Sequence, residues 1–234
     1  MTEALPLPVR DWRQVNNLFK LAEALIGHAG THIGFIQLRC GPFLDYARRR
    51  VPPSNVDLGQ LDLAIRMESK HAMEDLGAAL DYAAYATYER GFCKTAGPAA
   101  GPAPHLATGE HRWAYFPVAR KTECPDQYLK REGSHLGVEW ARYFWKYQQF
   151  GRPPDQRWLP LIHEFGNEAK HRGLPITEVL MSVETDNSGR IVDSAPRPVM
   201  YSIRGSGLRT PTILFVEASR EAKSIVRDLR NRVK

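Results

Sequence analysis

The chain has 234 residues, of which 43% are hydrophobic and 25% charged. This balance is ordinary for a globular protein and excludes disorder of the whole chain. Three cysteines without a C-x-x-C pair argue against a disulfide framework or a zinc ribbon and predict a reducing, cytoplasmic location. We expect neither a signal peptide nor a membrane span, because no apolar stretch is long enough. The net charge of +6 favours a polyanion such as nucleic acid as partner.

The first half of the chain predicts two long helices. Asp11 is a good N-cap, and apolar residues then recur at helical spacing, which predicts one long or broken helix from residue 11 to about 39. Gly27, Gly30 and Gly34 weaken this pattern, and Gly41-Pro42 is expected to end it. After a Pro-Pro loop, a second amphipathic pattern predicts a helix over residues 58–90.

The middle of the chain predicts a loop followed by aromatic helices. Residues 95–110 are rich in Ala, Gly and Pro, which indicates a flexible loop, and residues 113–118 are expected to be extended or a short strand. A helix is predicted over residues 134–150, where an aromatic stripe of Trp140, Tyr143, Phe144, Tyr147 and Phe150 favours core packing over a base-stacking platform. Another helix is predicted over residues 155–172, ended by Gly173 and Pro175.

The pattern changes to strands after residue 175. Residues 177–184, 199–203 and 212–216 are apolar or alternating and predict three strands, and a final helix should begin near Ser219. The expected fold class is therefore α+β: a helical bundle of four or five helices, a small antiparallel β-meander and a C-terminal helix. Residues 1–175 would form the helical domain, with residues 176–234 packed on it as one unit.

Two polar clusters offer residues for phosphate chemistry. In the first, Arg66 and His71 lie five apart within the second predicted helix, where an arginine could clamp a phosphate and a histidine could act as general acid or base. In the second, Asn167 and His171 lie four apart and share a helical face. The catalytic candidates are Arg66, His71, Asn167 and His171, and the nucleic-acid-binding candidates are Lys70, Lys170, Arg172, Arg227 and Arg230.

These clusters carry a resemblance to a known superfamily. An R-x4–6-H signature in a helical protein resembles the HEPN superfamily, which includes metal-independent RNA endonucleases. Residues 20–232 are also similar to uncharacterised bacterial proteins with R-S-A-L-D-H and N-x-D-K-H-R segments, matched here by Pro52-Pro53, by residues 79–82, by residues 116–118 and by residues 167–172. The resemblance implies a nucleic-acid-directed protein, an RNA endonuclease, acting as a homodimer. Gly77 and Tyr82 stand where that group has Arg and His.

A dinuclear metal site is an alternative interpretation. Glu68–His71 and Glu168–His171 both match E-x-x-H, which two helices of di-iron carboxylate bundles contribute while two others each give a glutamate. Carboxylate and imidazole suit two iron or manganese ions. The candidate ligands are Glu23, Glu68, His71, Glu139, Glu168 and His171.

A non-enzymatic interaction module is the third interpretation. The helices would then be a scaffold, and an edge of the predicted sheet would bind a protein partner. His28 and His32 lie at i and i+4 and could ligate a metal. Because no third ligand is near them in sequence, we interpret them as surface histidines.

Overall fold

The computed structural model describes residues 12–49, 58–88, 115–120, 123–136, 138–148, 158–160, 162–163, 176–180, 200–203, 207–209 and 211–234. Helices α1 (Trp12–Arg49), α2 (Leu58–Thr87), α3 (Pro125–Leu136), α4 (Val138–Trp145) and α5 (Pro211–Val233) make up most of this part. The chain divides into two compact units: unit 1 holds residues 1–26, 77–160 and 221–234, and unit 2 holds residues 27–76 and 161–220. The predicted boundary near residue 175 stays a prediction, and the predicted loop at 95–110 lies outside the described residues.

The buried residues of α1 repeat with alternating steps of four and three residues, and the same spacing runs through the buried face of α2, which is wider and also includes Met73, Leu80 and Ala84. This mean period of 3.5 is the pattern of helices that pack side by side like a coiled coil, because it keeps one narrow stripe facing its neighbour. Many of these side chains are small, which allows the helix backbones to approach closely. The stripe on α1 is Val15, Phe19, Ala22, Ile26, Ala29, Ile33 and Ile36, and that on α2 is Ile65, Ser69, Ala72, Leu76, Ala79 and Ala83.

The expected break in α1 at Gly41-Pro42 is wrong, because the helix continues to Arg49. Proline in a helix interior removes one backbone hydrogen bond and costs about 3 kcal/mol. The long buried stripe of α1 precedes this point and fixes the helix axis. The earlier glycines do not interrupt the helix either, since a Cβ added at Gly27, Gly30 or Gly34 would meet nothing within 4 Å. They lie on an open face and leave the buried stripe intact.

Helix α3 begins earlier than the sequence pattern suggested. Pro125 takes the first helical position, where its missing N–H is not needed. Cys124 precedes it, and the Gln127 side chain accepts a hydrogen bond from the Cys124 backbone N–H at 3.1 Å, as in a capping box. The predicted helix over 134–150 is therefore wrong at both ends: α3 ends at Leu136, and α4 runs only from Val138 to Trp145.

The segment over residues 115–120 belongs to neither a helix nor a strand. Side chains from the helices satisfy its backbone instead: Asp81 accepts from the Phe116 N–H at 2.7 Å, and Gln148 accepts from the Ala119 N–H at 2.8 Å. The Gln148 amide also donates to the Pro117 carbonyl at 2.8 Å. Buried Phe144 and Tyr147 pack against Phe116, so the core-packing interpretation of the aromatic stripe is confirmed for these two rings.

The predicted α+β class is wrong. Among residues whose backbone and side chains are both described, 89% are helical and none lies in a strand, so the predicted β-meander is not part of this body. For three further short segments the structure gives the backbone path alone: β1 (Ile176–Leu180), β2 (Met200–Ile203) and β3 (Gly207–Arg209), paired antiparallel in the order β1-β2-β3. Of the predicted helix over 155–172, residues 158–160 and 162–163 are helical, and the remainder lies outside the described residues.

The strand predicted over residues 212–216 is also wrong, because these residues form the first turns of α5. An apolar run of five residues does not distinguish a buried strand from a buried helix turn. Pro211 occupies the first helical position, which favours helix. The wider spacing decides the outcome, since buried residues recur from Phe215 through Ala218, Ala222, Ile225 and Leu229. No helix in the described ranges is long and apolar enough to cross a membrane.

Asp228 connects α5 to the end of α4 within unit 1. Its carboxylate accepts from the Tyr147 hydroxyl at 2.5 Å and from the Lys146 ammonium at 2.8 Å. Burial alone would raise the pKa of Asp228, but the hydrogen bonds from Lys146 and Tyr147 outweigh it and lower the pKa. The neighbouring Tyr143 hydroxyl lies 3.5 Å from the Asp228 backbone carbonyl, which is a much weaker contact.

We expect Tyr147→Phe to lower the free energy of unfolding by about 1 kcal/mol, because it removes a hydrogen bond to a charged acceptor. Tyr82→Phe is the matched control: the same oxygen is lost from a ring that is 38% exposed in the same unit, so the change should stay within about 0.5 kcal/mol. Urea denaturation of both variants measures the difference. Equal effects from the two substitutions would contradict this assignment.

Glu123 fixes the start of α3 through Arg131. Its two carboxylate oxygens accept from the Arg131 Nε at 2.8 Å and Nη2 at 2.7 Å, and one of them also accepts from the Arg120 N–H at 2.9 Å. The hydrogen bonds from Arg131 lower the pKa of Glu123 below its ordinary 4.5, although burial opposes the shift. The ion pair therefore stabilises the fold only while Glu123 is ionised.

The pKa of Glu123 is lower in the folded protein than in the unfolded chain. The ion pair therefore stabilises the fold fully above pH 4.5, and this stabilisation is lost as the pH falls through the folded-state pKa. We expect Glu123→Gln to cost about 2 kcal/mol at pH 7 and to flatten the acid limb of the stability curve. Urea midpoints measured from pH 7 down to acid conditions test this. A variant as acid-sensitive as the parent would show that other carboxyl groups dominate.

Candidate metal centre

Five metal-ligating side chains meet between α1 and α2 in unit 2. Each comes directly before a buried residue of the stripe, so all five lie along the same flank of their helix. In an antiparallel helix pair, corresponding flanks of the two helices face each other. The residues are His28 and His32 on α1 and Glu68, His71 and Asp75 on α2.

The contacts across this flank run in antiparallel order. His28 Nδ1 lies 2.7 Å from Asp75 Oδ2, and His32 Nδ1 lies 2.6 Å from Glu68 Oε2. The other ring nitrogen of His32, Nε2, lies 3.7 Å from Asp75 Oδ2. The rings also approach one another, with centroid separations of 4.6 Å for His28 and His32 and 5.3 Å for His32 and His71.

Two overlapping triads in this cluster have ligand atoms within 4.8 Å of one another. The first is His28, His32 and Asp75, and the second is His32, Glu68 and His71. Each combines two imidazoles with one carboxylate, the donor set of catalytic zinc sites and of non-haem iron sites. An ion bonded at about 2.0–2.2 Å separates its ligands by roughly 3–3.6 Å, so modest side-chain movement would close either triad.

The candidate metal centre is partly buried and partly open to solvent. The His32 side chain is 14% exposed and the Asp75 side chain 19%, whereas the His28 side chain is 62% exposed. The shared histidine is therefore held by packing, while one edge of the cluster is open to solvent. Three protein ligands leave coordination positions for water or another small molecule, as in catalytic metal sites.

The catalytic residues predicted from sequence are only partly described. Arg66 and His71 both lie on α2, where five residues turn the side chains about 140° apart around the helix axis. His71 faces His32 across the flank. Asn167, Glu168, Lys170, His171 and Arg172 lie outside the described residues. Their predicted roles, and any approach of His171 to His71, stay predictions.

The predicted nucleic-acid-binding residues have different surroundings. Lys70 pairs with Glu74 one helical turn later at 3.4 Å. Arg230 donates to Glu23 at 2.8 Å and to Asn16 at 2.7 Å, so its guanidinium is already engaged. Arg227 is exposed on α5.

The residues predicted as ligands of a dinuclear metal site do not all lie together. Glu68 and His71 join His32 in one triad. Glu23 pairs with Arg230, and Glu139 is exposed in the first turn of α4. His28 and His32 were interpreted as surface histidines, which is wrong for His32, since its side chain is only 14% exposed and faces Glu68 and Asp75. Asp75 was not among the candidates. The available signal was that residues 28, 32, 68, 71 and 75 all precede stripe positions, which places them on matching flanks.

The chain was compared with family models, curated proteins and solved structures. No family model matches the chain, and neither the curated proteins nor the solved structures contain a match.

Proposed function

We propose that this protein binds a divalent transition-metal ion between α1 and α2. The observation that carries the proposal is the meeting of three histidines and two carboxylates from two helices, in two triads that share His32. Imidazole and carboxylate together suit zinc, iron, manganese or nickel rather than calcium or magnesium. Because only three protein ligands surround either position, the bound ion would keep sites for water or substrate, as a catalytic metal does.

The local packing supports this proposal. The His32 side chain is 14% exposed and lies 2.6 Å from Glu68 and 3.7 Å from Asp75, so contacts with α2 orient its ring before any ion arrives. A site built on helices keeps its ligands within the small tolerance that metal coordination needs. The three cysteines, which include no C-x-x-C pair, support a cytoplasmic location for such a protein.

The test is metal content of the purified full-length protein by elemental mass spectrometry. We expect a stoichiometric transition metal in the parent protein, and loss of at least about 90% of it in His32→Gln, because His32 belongs to both triads. Glu139→Gln is the control, since Glu139 is exposed and belongs to neither triad; it should retain the metal. A parent protein that takes up no metal even after incubation with zinc, iron or manganese salts would overturn the proposal.

A second candidate function is nucleic-acid binding through α5. Lys223 and Arg227 are both exposed on α5, and their spacing of four residues places them about 40° apart around the helix. Such a cationic stripe can follow a phosphate backbone. Ribonuclease activity, the HEPN-like relationship and a homodimer remain predictions from the sequence resemblance.

We expect a short single-stranded RNA to bind with an affinity that falls with salt, and the double variant K223Q/R227Q to reduce the slope of log K against log salt by about 1.4, or 0.7 for each lost phosphate contact. The double variant K130Q/R142Q is the matched control, because it removes the same two charges from exposed side chains on α3 and α4. Fluorescence polarisation measures all three proteins. An unchanged slope in the double variant would exclude this face of α5 from RNA binding.

A further inference from the structure

The two triads cannot both hold an ion in the same way, because each needs His32. A neutral imidazole has one nitrogen with a lone pair and one that carries a proton. A single His32 therefore ligates one ion, and its second nitrogen donates a hydrogen bond. The His32 nitrogen that faces the ion therefore decides which of the two triads holds it.

The distances around His32 distinguish its two nitrogens. Nδ1 lies 2.6 Å from Glu68 Oε2, which is a hydrogen-bond distance. Nε2 lies 3.7 Å from Asp75 Oδ2, which is too long for a hydrogen bond but close to the separation of two ligands on one ion. The proton is thus best placed on Nδ1, and the lone pair of Nε2 is directed to the Asp75 side of the cluster.

This arrangement has the form of a carboxylate–histidine–metal unit. A histidine that binds a metal almost always donates its other N–H to a carboxylate, a carbonyl or a water, which fixes the ring and raises its basicity. Glu68 already occupies that place for His32. In the opposite arrangement, with the ion between Glu68 and His71, the Nε2–H would have only Asp75 at 3.7 Å.

We infer that one ion per chain is held by His28, His32 through Nε2, and Asp75, with Glu68 as a positioning residue that holds the His32 ring. This assignment rests on the proposed metal-binding function. His28 closes the set: its Nδ1 is hydrogen-bonded to the same Asp75 oxygen at 2.7 Å, and on binding the ion takes the place of that shared proton, which is released to solvent, while the two atoms separate to roughly 3 Å. His71 packs against His32 without contributing a ligand. The exposed edge at His28 is the side from which water and small ligands reach the ion.

Cobalt(II) is the probe, because its visible spectrum reports the ligands of the bound ion, and the full-length protein is titrated after removal of metals. The parent should bind one equivalent. His28→Gln and Asp75→Asn should each weaken binding by at least about 100-fold, as expected for lost ligands. His28 is largely exposed, so its variant keeps the test valid even where Asp75→Asn folds poorly.

The behaviour of Glu68 separates the positioning role from a ligand role. Glu68→Gln keeps an acceptor for the His32 N–H, so it should bind one equivalent with the parent's spectrum and an affinity about 10-fold lower, whereas Glu68→Ala should lose about 100-fold, within the range known for such outer partners. His71→Gln should bind like the parent. Circular dichroism of each metal-free variant checks folding.

Two results would overturn the assignment in different ways. If Glu68→Gln and His71→Gln abolish cobalt binding while His28→Gln keeps it, the ion lies on the other side of His32 and the proposed function stands. Two equivalents in the parent would also overturn the single-ion assignment. A parent protein that binds no cobalt at all would remove the proposed function together with this inference.

Discussion

The packing of α1 against α2 is the constraint on which the candidate site depends. Buried residues on α1 recur in steps of four and three, and the wider buried face of α2 contains the same spacing, so one side of each helix is fixed toward its neighbour. Once that stripe is set, the residues directly before it are also fixed. His28 and His32 on one helix then meet Asp75 and Glu68 on the other. The polar cluster is therefore a consequence of the helix register, and a shift of either helix by one residue would separate every pair.

Charged and polar side chains also position the elements that the stripe does not reach. Asp228 is bonded to Tyr147 and Lys146, and Glu123 holds Arg131 and the backbone before α3. The segment over residues 115–120 is satisfied by Asp81 and Gln148 rather than by a neighbouring strand. In unit 1, side chains therefore satisfy backbone groups that a neighbouring strand would satisfy in a sheet. Buried backbone polar groups generally need such a hydrogen-bond partner.

The sequence predicted the existence of the long helices well and their ends poorly. Periodicity over many residues identifies the face of α1 and α2 that is buried, but Gly41-Pro42 did not stop α1 because local preference is weak against a long packed stripe. The apolar residues 212–216 were assigned to a strand because a short apolar run has no decisive period. Of the five clustered residues, the E-x-x-H spacing pointed to Glu68 and His71, and the i, i+4 spacing pointed to His28 and His32 only as a surface pair. Asp75, and the meeting of all five, required contacts between residues 36 to 47 apart in sequence.

The same pairing explains why His32 matters more than its neighbours. It is the least exposed of the side chains in these contacts, at 14%, and it has a carboxylate on each side. A ring placed in this way has one nitrogen fixed as a donor by Glu68 and the other left as an acceptor, so the protein sets the tautomer before any ion binds. An exposed i, i+4 histidine pair on a lone helix has no such preference. The acidic residues of α2 therefore convert two ordinary histidines into a preorganised half-site, and the cost of aligning the ligands is met when the helices fold together.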